Sequence, residues 1–199
     1  MKVGMIFECG PQGADKQVCE YLAQHIRPGI NLSLVTLDNK ANLLRDAGEA
    51  AKQLLADGCC CVLVVWDLRP AWPTPRAPCR TQECAAVNAS LQSAGVPANA
   101  PIHLVCIEQE LESWLLACDH AISALLSRPA HPYSTPRVKK PDAVTQPKAQ
   151  VIKRFKQVRN RRYDDKVDAI RVLKAAAIQL PRLRRSMSFA RFEQKLLAC

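Results

Sequence analysis

The sequence predicts an α/β fold: a mostly parallel sheet flanked by helices, with a basic helical extension on its C-terminal side. Three observations carry this expectation. Short apolar runs alternate with longer stretches of helical periodicity from residue 2 to residue 126, which is the pattern of repeated strand–helix units. One of those runs, CCCVLVVW from Cys59 to Trp66, is continuously apolar, as a central parallel strand covered on both faces should be. The charge is also divided along the chain. Arg137 to Cys199 hold 18 Lys and Arg against 5 Asp and Glu, whereas residues 1 to 136 hold 10 against 13.

Taken in order, KVGMIFEC at residues 2 to 9 reads as a first strand. Gly13 to Ile26 reads as a helix with Val18, Leu22 and Ile26 on one side. INLSLVTL at residues 30 to 37 alternates apolar and polar, which suits a half-buried strand. Ala41 to Asp57 is an Ala- and Leu-rich helix stopped by Gly58. The apolar strand ends at Trp66-Asp67, a proline-studded loop follows, and Thr81 to Ser93 is expected to be helical. IHLVCI at residues 102 to 107 is a fourth strand, running into one helix from Glu108 to Leu126. Residues 1–126 thus form the α/β domain.

Five prolines between Ser127 and Pro147 interrupt the pattern, so residues 127–147 are expected to be a loop or linker. Helices are expected at Ala149 to Val158, Asp164 to Ile178 and Ser188 to Leu197. Their apolar residues, among them Val151, Phe155, Leu173, Phe189 and Phe192, make residues 148–199 a basic helical cap packed on the same domain rather than a disordered arm.

A chain of 199 residues can bury roughly two-thirds of its unfolded surface without crosslinks. Its ten cysteines fall largely on buried-looking positions, which predicts reduced thiols in a cytoplasmic protein. The apolar start of the chain is broken by Glu8, and no apolar stretch reaches the roughly 18 residues needed to span a bilayer. Neither export nor a membrane partner is expected. Cys79 and Cys84 lack a second ligand pair at zinc spacing, and CGPQGADK fits neither nucleotide-binding glycine fingerprint.

Ligands of an open α/β sheet bind where strands end, because loops and helix N-termini converge there. Glu8 follows the first strand, Asp67 the third, and Glu108, Glu110 and Glu112 the fourth. Singly, each acid can serve as a turn cap or a first-turn helix acid. Jointly, oxygen ligands from separate strands are what Mg²⁺ or Mn²⁺ requires.

The order of IFECGPQGADKQV, VLVVWDLRP and CIEQELESWLLA, with the tail YDDKVDAIRVLKAAAIQLPRLRRSMSFARFEQKLL, resembles an uncharacterised bacterial family of Toprim-like fold. Toprim domains of topoisomerases, primases and overcoming-lysogenisation-type nucleases bind Mg²⁺ through a glutamate after the first strand and an Asp-x-Asp pair after a later one. The resemblance places Glu8 on that glutamate and Asp67 on the first aspartate, both as catalytic and metal-binding candidates. Arg69 stands where the second aspartate belongs, and an arginine cannot ligate a cation. Three readings stay open: Glu110 or Glu112 completes the site, Arg69 holds a phosphate directly, or Arg69 neutralises Asp67. The resemblance implies a metal-dependent phosphodiester hydrolase or a degenerate relative, acting on DNA or RNA, in bacterial anti-phage defence beside an ATPase partner. Assembly as a homo-oligomer is compatible with it.

The basic cap supplies the other candidate surface. Lys153, Arg154, Lys156, Arg159, Arg161 and Arg162 crowd ten residues, and Arg182, Arg184 and Arg185 form a second cluster. A net charge of +13 over this last third should attract a polyanion or an acidic partner. With few aromatics available, backbone contact is expected over base stacking. The rival to an enzyme is a non-catalytic subunit that uses these helices to bind nucleic acid or protein.

If six of these side chains meet duplex phosphates, the logarithm of affinity should fall with the logarithm of salt at a slope of roughly −5. Reversing the charges of Arg154, Arg159 and Arg162 should flatten it. A salt-independent affinity of the unaltered chain would remove nucleic acid as the expected partner.

Overall fold

The computed structural model describes residues 1–69 and 79–199; the proline-studded loop expected after Asp67 lies largely outside them. Four strands, β1 (Lys2–Phe7), β2 (Asn31–Thr36), β3 (Cys61–Asp67) and β4 (Ile102–Ile107), form one sheet in the order β2-β1-β3-β4. Every pairing is parallel. The helices α1 (Ala14–Ile26), α2 (Lys40–Ala56) and α3 (Arg80–Ser93) connect them. The predicted fold class is therefore the observed one. The central strands β1 and β3 are buried along nearly their whole length, which their unbroken apolar runs required.

The two faces carry separate cores. On one, Ile6, Val62, Val64 and Trp66 pack against Leu43, Ala47 and Ala51 of α2 and Val87 of α3. Here α2 and α3 cross closely at Gly48, whose N–H donates to Ser90 Oγ at 3.0 Å while that hydroxyl donates to the Arg45 carbonyl at 2.7 Å. On the other face, Val3, Met5, Phe7, Leu63 and Val65 share a core with α1 and with the entire C-terminal third.

That third begins after β4. The single helix expected from Glu108 to Leu126 is divided: α4 (Glu112–Ala117) starts later, and Cys118, with φ −92° and ψ 47°, separates it from α5 (Asp119–Leu126). The break has a cause in Asp119, which is buried and accepts hydrogen bonds from Arg182, at 2.8 Å, and from Arg185. The same Arg185 donates to the carbonyls of Ala117 and Val138. Burial opposes ionisation of Asp119, but the two guanidiniums hold its carboxyl below the usual carboxylate range.

Residues 127–147 are not a free linker. Tyr133 N–H and Thr135 N–H donate to the hydroxyls of Ser127 and Ser123, and Asp142, in a 3₁₀ turn, accepts from Ser186 Oγ, Ser188 Oγ and Ser188 N–H. Then follow α6 (Pro147–Arg159), α7 (Asp165–Lys174), the short α8 (Leu180–Leu183) and α9 (Met187–Ala198). The helix expected over Asp164 to Ile178 thus ends at Lys174. α9 is capped by Ser186, which accepts from Phe189 N–H, and sets Phe189 and Phe192 against Trp114. Lying beside β4, it sends Lys195 Nζ to the Leu104 carbonyl and Arg191 Nη2 to the Cys106 carbonyl at 3.4 Å.

The cysteines depart from the expectation in one pair. Eight are free, whereas Cys61 and Cys199 are joined as a disulfide across 138 residues of sequence, with Cα atoms 5.6 Å apart. Local burial patterns cannot register such a pairing, because the fold alone brings the start of β3 to the end of α9. No helix among the described residues is long and apolar enough to cross a membrane.

Gly48 gives a direct test of the packing. A Cβ there would lie 2.1 Å from the Ser90 carbonyl oxygen, so Gly48→Ala should destabilise the chain by about 1–3 kcal/mol. At an unconstrained helical site the same change stabilises by about 1 kcal/mol. Urea unfolding distinguishes the two outcomes, and a gain in stability would contradict the close approach.

Candidate functional site

Because all four strands are parallel, their C-terminal ends share one edge, and the acids predicted from sequence are brought to it. Glu8 leaves β1 and its Oε1 accepts the Asp67 N–H at 2.8 Å. Asp67 closes β3, and its Oδ2 accepts the Leu111 N–H at 3.1 Å. Glu110 and Glu112 stand at the start of α4. Glu110 Oε2 accepts the Lys148 N–H at 3.1 Å, capping α6, and Glu112 Oε1 accepts the Tyr163 hydroxyl at 3.2 Å. Glu108 is directed elsewhere, to Arg80 at 3.2 Å and Arg191 at 2.8 Å.

Asp67, Glu110 and Glu112 line a cavity of about 130 Å³ together with three groups that sequence reasoning missed: Asp15, Lys148 and Asp165. Asp15 sits in the first turn of α1, just past the Gly10-to-Gly13 turn that leaves β1. That position on the Glu8 edge was a readable signal. Lys148 and Asp165 come from the N-terminal turns of α6 and α7 and pair at 2.6 Å; nothing local marks them, since only the packing of the cap brings them here. A wider cavity of about 390 Å³ shares Asp15 and Asp165 and is walled by the Cys9–Ala14 turn, Asp38 and Lys166.

Glu8 does not line the smaller cavity but stands at its shoulder. On its other side lies Lys40, nearly buried, with Nζ 3.0 Å from the Leu68 carbonyl and 3.5 Å from Glu83. Glu83 in turn accepts the Trp66 indole N–H at 2.8 Å.

The electrostatics of the edge are unbalanced. Burial pushes Glu8 up to about 7, although Lys40 opposes it. Burial likewise raises Glu112 to about 7 against the pull of Lys148, and Asp15 to about 6. Asp67 is raised well above the ordinary carboxylate range by burial and then by Asp15, Glu8 and Glu112. These are the signs of several carboxylates sharing too little positive charge in a dry space. Two oxygens, Glu8 Oε2 and Asp67 Oδ1, are buried without a hydrogen-bond partner among the described residues. Buried acceptors ordinarily find a partner, and these two lie beside other raised carboxyls, unlike the orphaned Gln109, Ser113 and Thr135 oxygens elsewhere in the chain.

The donor set is all hard oxygen, which fits Mg²⁺ or Mn²⁺. Among the described residues no three carboxylates place an oxygen each within 4.8 Å of one another. A bound ion would thus take one or two carboxylates directly and complete its shell with water, the usual habit of Mg²⁺.

Arg69, at the exit of β3, is exposed, and its N–H donates to the Gln109 carbonyl at 3.0 Å. The predicted basic surface divides in two. Arg161 is bidentate to Asp168 at 2.6 and 2.7 Å and lies over the Phe155 ring. Arg184 holds Glu193 at 2.7 and 2.9 Å, and Arg182 and Arg185 hold Asp119. Arg159 binds the carbonyls of Leu125 and Ser127. Arg154 is half-buried with one nitrogen unpartnered among the described residues. Lys153, Lys156 and Arg162 are exposed and make no ion pair among the described residues.

Comparison with known proteins gives one family: residues 12–197 match the domain described as Domain of unknown function (DUF4276). No curated protein and no solved structure matches the chain.

The raised carboxyls set the pH response of the metal-free protein. Glu8, Asp15 and Glu112 favour the folded state below their ordinary carboxylate range, and that contribution is lost as pH rises through about 6 to 7. Glu112→Gln should therefore stabilise the metal-free chain at about pH 8 by on the order of 1–3 kcal/mol, and change little near about pH 4. Denaturant titrations at the two pH values check this; equal effects at both would contradict it.

Proposed function

The chain belongs to the DUF4276 family, and from that footing we propose that it is a Toprim-like, divalent-metal-dependent phosphodiester hydrolase acting on nucleic acid. The observation that carries the reading is a pair of buried oxygens, Glu8 Oε2 and Asp67 Oδ1, without a partner among the described residues, at an edge crowded with raised carboxyls. Their order along the chain is the one the Toprim resemblance asks for.

Asp67, with Asp15 and Glu112 beside it and Glu8 at its shoulder, would hold Mg²⁺ or Mn²⁺. Such an ion polarises a phosphoryl oxygen and lowers the pKa of bound water. The chain's own groups account for the rest. Glu8, whose Oε1 accepts the Asp67 N–H, would stand beside the ion as the proton acceptor for an attacking water. Lys148 is kept charged by Asp165 and Glu112 despite burial and offers a cation to a phosphate entering the cavity. Arg69 replaces the second aspartate with a group suited to a backbone phosphate, and Glu110 and Glu112 restore the lost negative charge from another element. Lys153, Lys156 and Arg162 provide the exposed charge for a polyanion, while Arg159, Arg161, Arg182, Arg184 and Arg185 chiefly hold the fold. A cytoplasmic location, an ATPase partner and a place in phage defence belong to the same reading.

The test is cleavage of plasmid DNA and of RNA in Mg²⁺ or Mn²⁺, beside Glu8→Ala, Asp67→Ala and Asp15→Ala. Loss of activity by at least about 100-fold in the first two, with the thermal midpoint retained, is expected. Mn²⁺ should also raise the midpoint of the unaltered chain more at about pH 8 than at about pH 5, where the acids are protonated. Binding of nucleic acid without metal-dependent cleavage would instead favour a non-catalytic subunit.

A further inference from the structure

The sheet's opposite end holds a different set of ligands. Cys61 opens β3, His103 lies on β4, and Cys199 follows α9, and one ligand atom from each lies within 4.8 Å of the other two. We propose that Cys61, His103 and Cys199 form a soft-metal site that binds Zn²⁺ when the two cysteines are reduced.

The convergence follows from the fold. Leu63 pairs with His103 across the sheet, and Cys61 lies two residues before Leu63, so all three side chains share one face. α9 crosses that face beside β4, held by the Lys195 amine on the Leu104 carbonyl, and brings Cys199 onto the pair. Three separate elements thus contribute one ligand each, and none was marked by spacing in the sequence.

The chemistry suits zinc over the hard cations expected at the carboxylate edge. Two thiolates and an imidazole are a soft set that selects Zn²⁺ against Mg²⁺. Zn–S bonds of about 2.3 Å and Zn–N bonds of about 2.0 Å place tetrahedral ligand atoms about 3.3–3.8 Å apart, inside the observed envelope. Cys61 is buried, while His103 and Cys199 are partly exposed. Solvent can therefore reach one side, where water supplies the fourth ligand.

Cys61 and Cys199 are joined in the oxidised chain, so zinc binding needs their reduction. A phosphine does this with atoms balanced: the disulfide, the phosphine and one water give two thiols and the phosphine oxide. Zn²⁺ then displaces two thiol protons. The site and the disulfide are thus alternative states of the same pair, both fastening the end of α9 to the central strand.

The full chain is to be reduced with a phosphine under anaerobic conditions, dialysed against Zn²⁺ with a competing chelator, and analysed for retained metal. Replacement by Co²⁺ gives an independent readout, since thiolate ligation produces intense charge-transfer bands. About one zinc per chain is expected, with stoichiometric retention lost in Cys199→Ala and His103→Ala and kept in Cys79→Ala. The two ligand variants change partly exposed side chains, so folding is preserved where Cys61→Ala risks it. Failure of the reduced chain to retain zinc, equal retention in the ligand variants, or a disulfide that the phosphine does not open would each overturn the proposal. None of these outcomes bears on the carboxylate edge.

Discussion

The parallel arrangement of the four strands is the constraint from which the rest follows. Each strand must return to its start through a helix on one face or the other, so each delivers its last residue to the same edge. An acid placed at a strand end is therefore placed beside every other such acid. Glu8 and Asp67 meet through an N–H to carboxylate bond because β1 and β3 are neighbours, although 59 residues separate them in sequence. The cost of this crowding is visible in carboxyls pushed toward neutrality by burial and by one another.

The C-terminal third serves a purpose beyond adding charge. Its helices complete the core on one face and also complete the acidic cavity, since Lys148 and Asp165 come from α6 and α7. Much of its positive charge is consumed in the process. Asp119, Asp168 and Glu193 are buried acids, and each is neutralised by arginines from the cap. Breaking such a pair leaves a buried charge uncompensated, which is far more costly than losing an exposed pair.

This explains what was legible in the sequence. The strands, and helices of ordinary length, were readable because burial on both faces imposes an apolar run and burial on one imposes a period. The Glu8 and Asp67 edge was readable because strand ends are readable. The division at Cys118 was not, since it depends on Asp119 meeting Arg182 and Arg185 more than 60 residues away. For the same reason the arginines looked alike: whether a guanidinium faces solvent or a buried carboxylate is decided by tertiary packing. Asp15 was within reach and overlooked, whereas Lys148, Asp165 and the Cys61–Cys199 pairing required the fold.

The position of α9 beside β4 has one more consequence. β4 is an outer strand of the sheet, and its outward carbonyls at Leu104 and Cys106 are the groups met by Lys195 and Arg191. Unpaired strand borders are templates on which foreign chains can polymerise, and cationic side chains are a common safeguard against it. The last helix therefore covers this border of the sheet: a chain whose α9 detached would leave the outward carbonyls of β4 open to pairing with another strand.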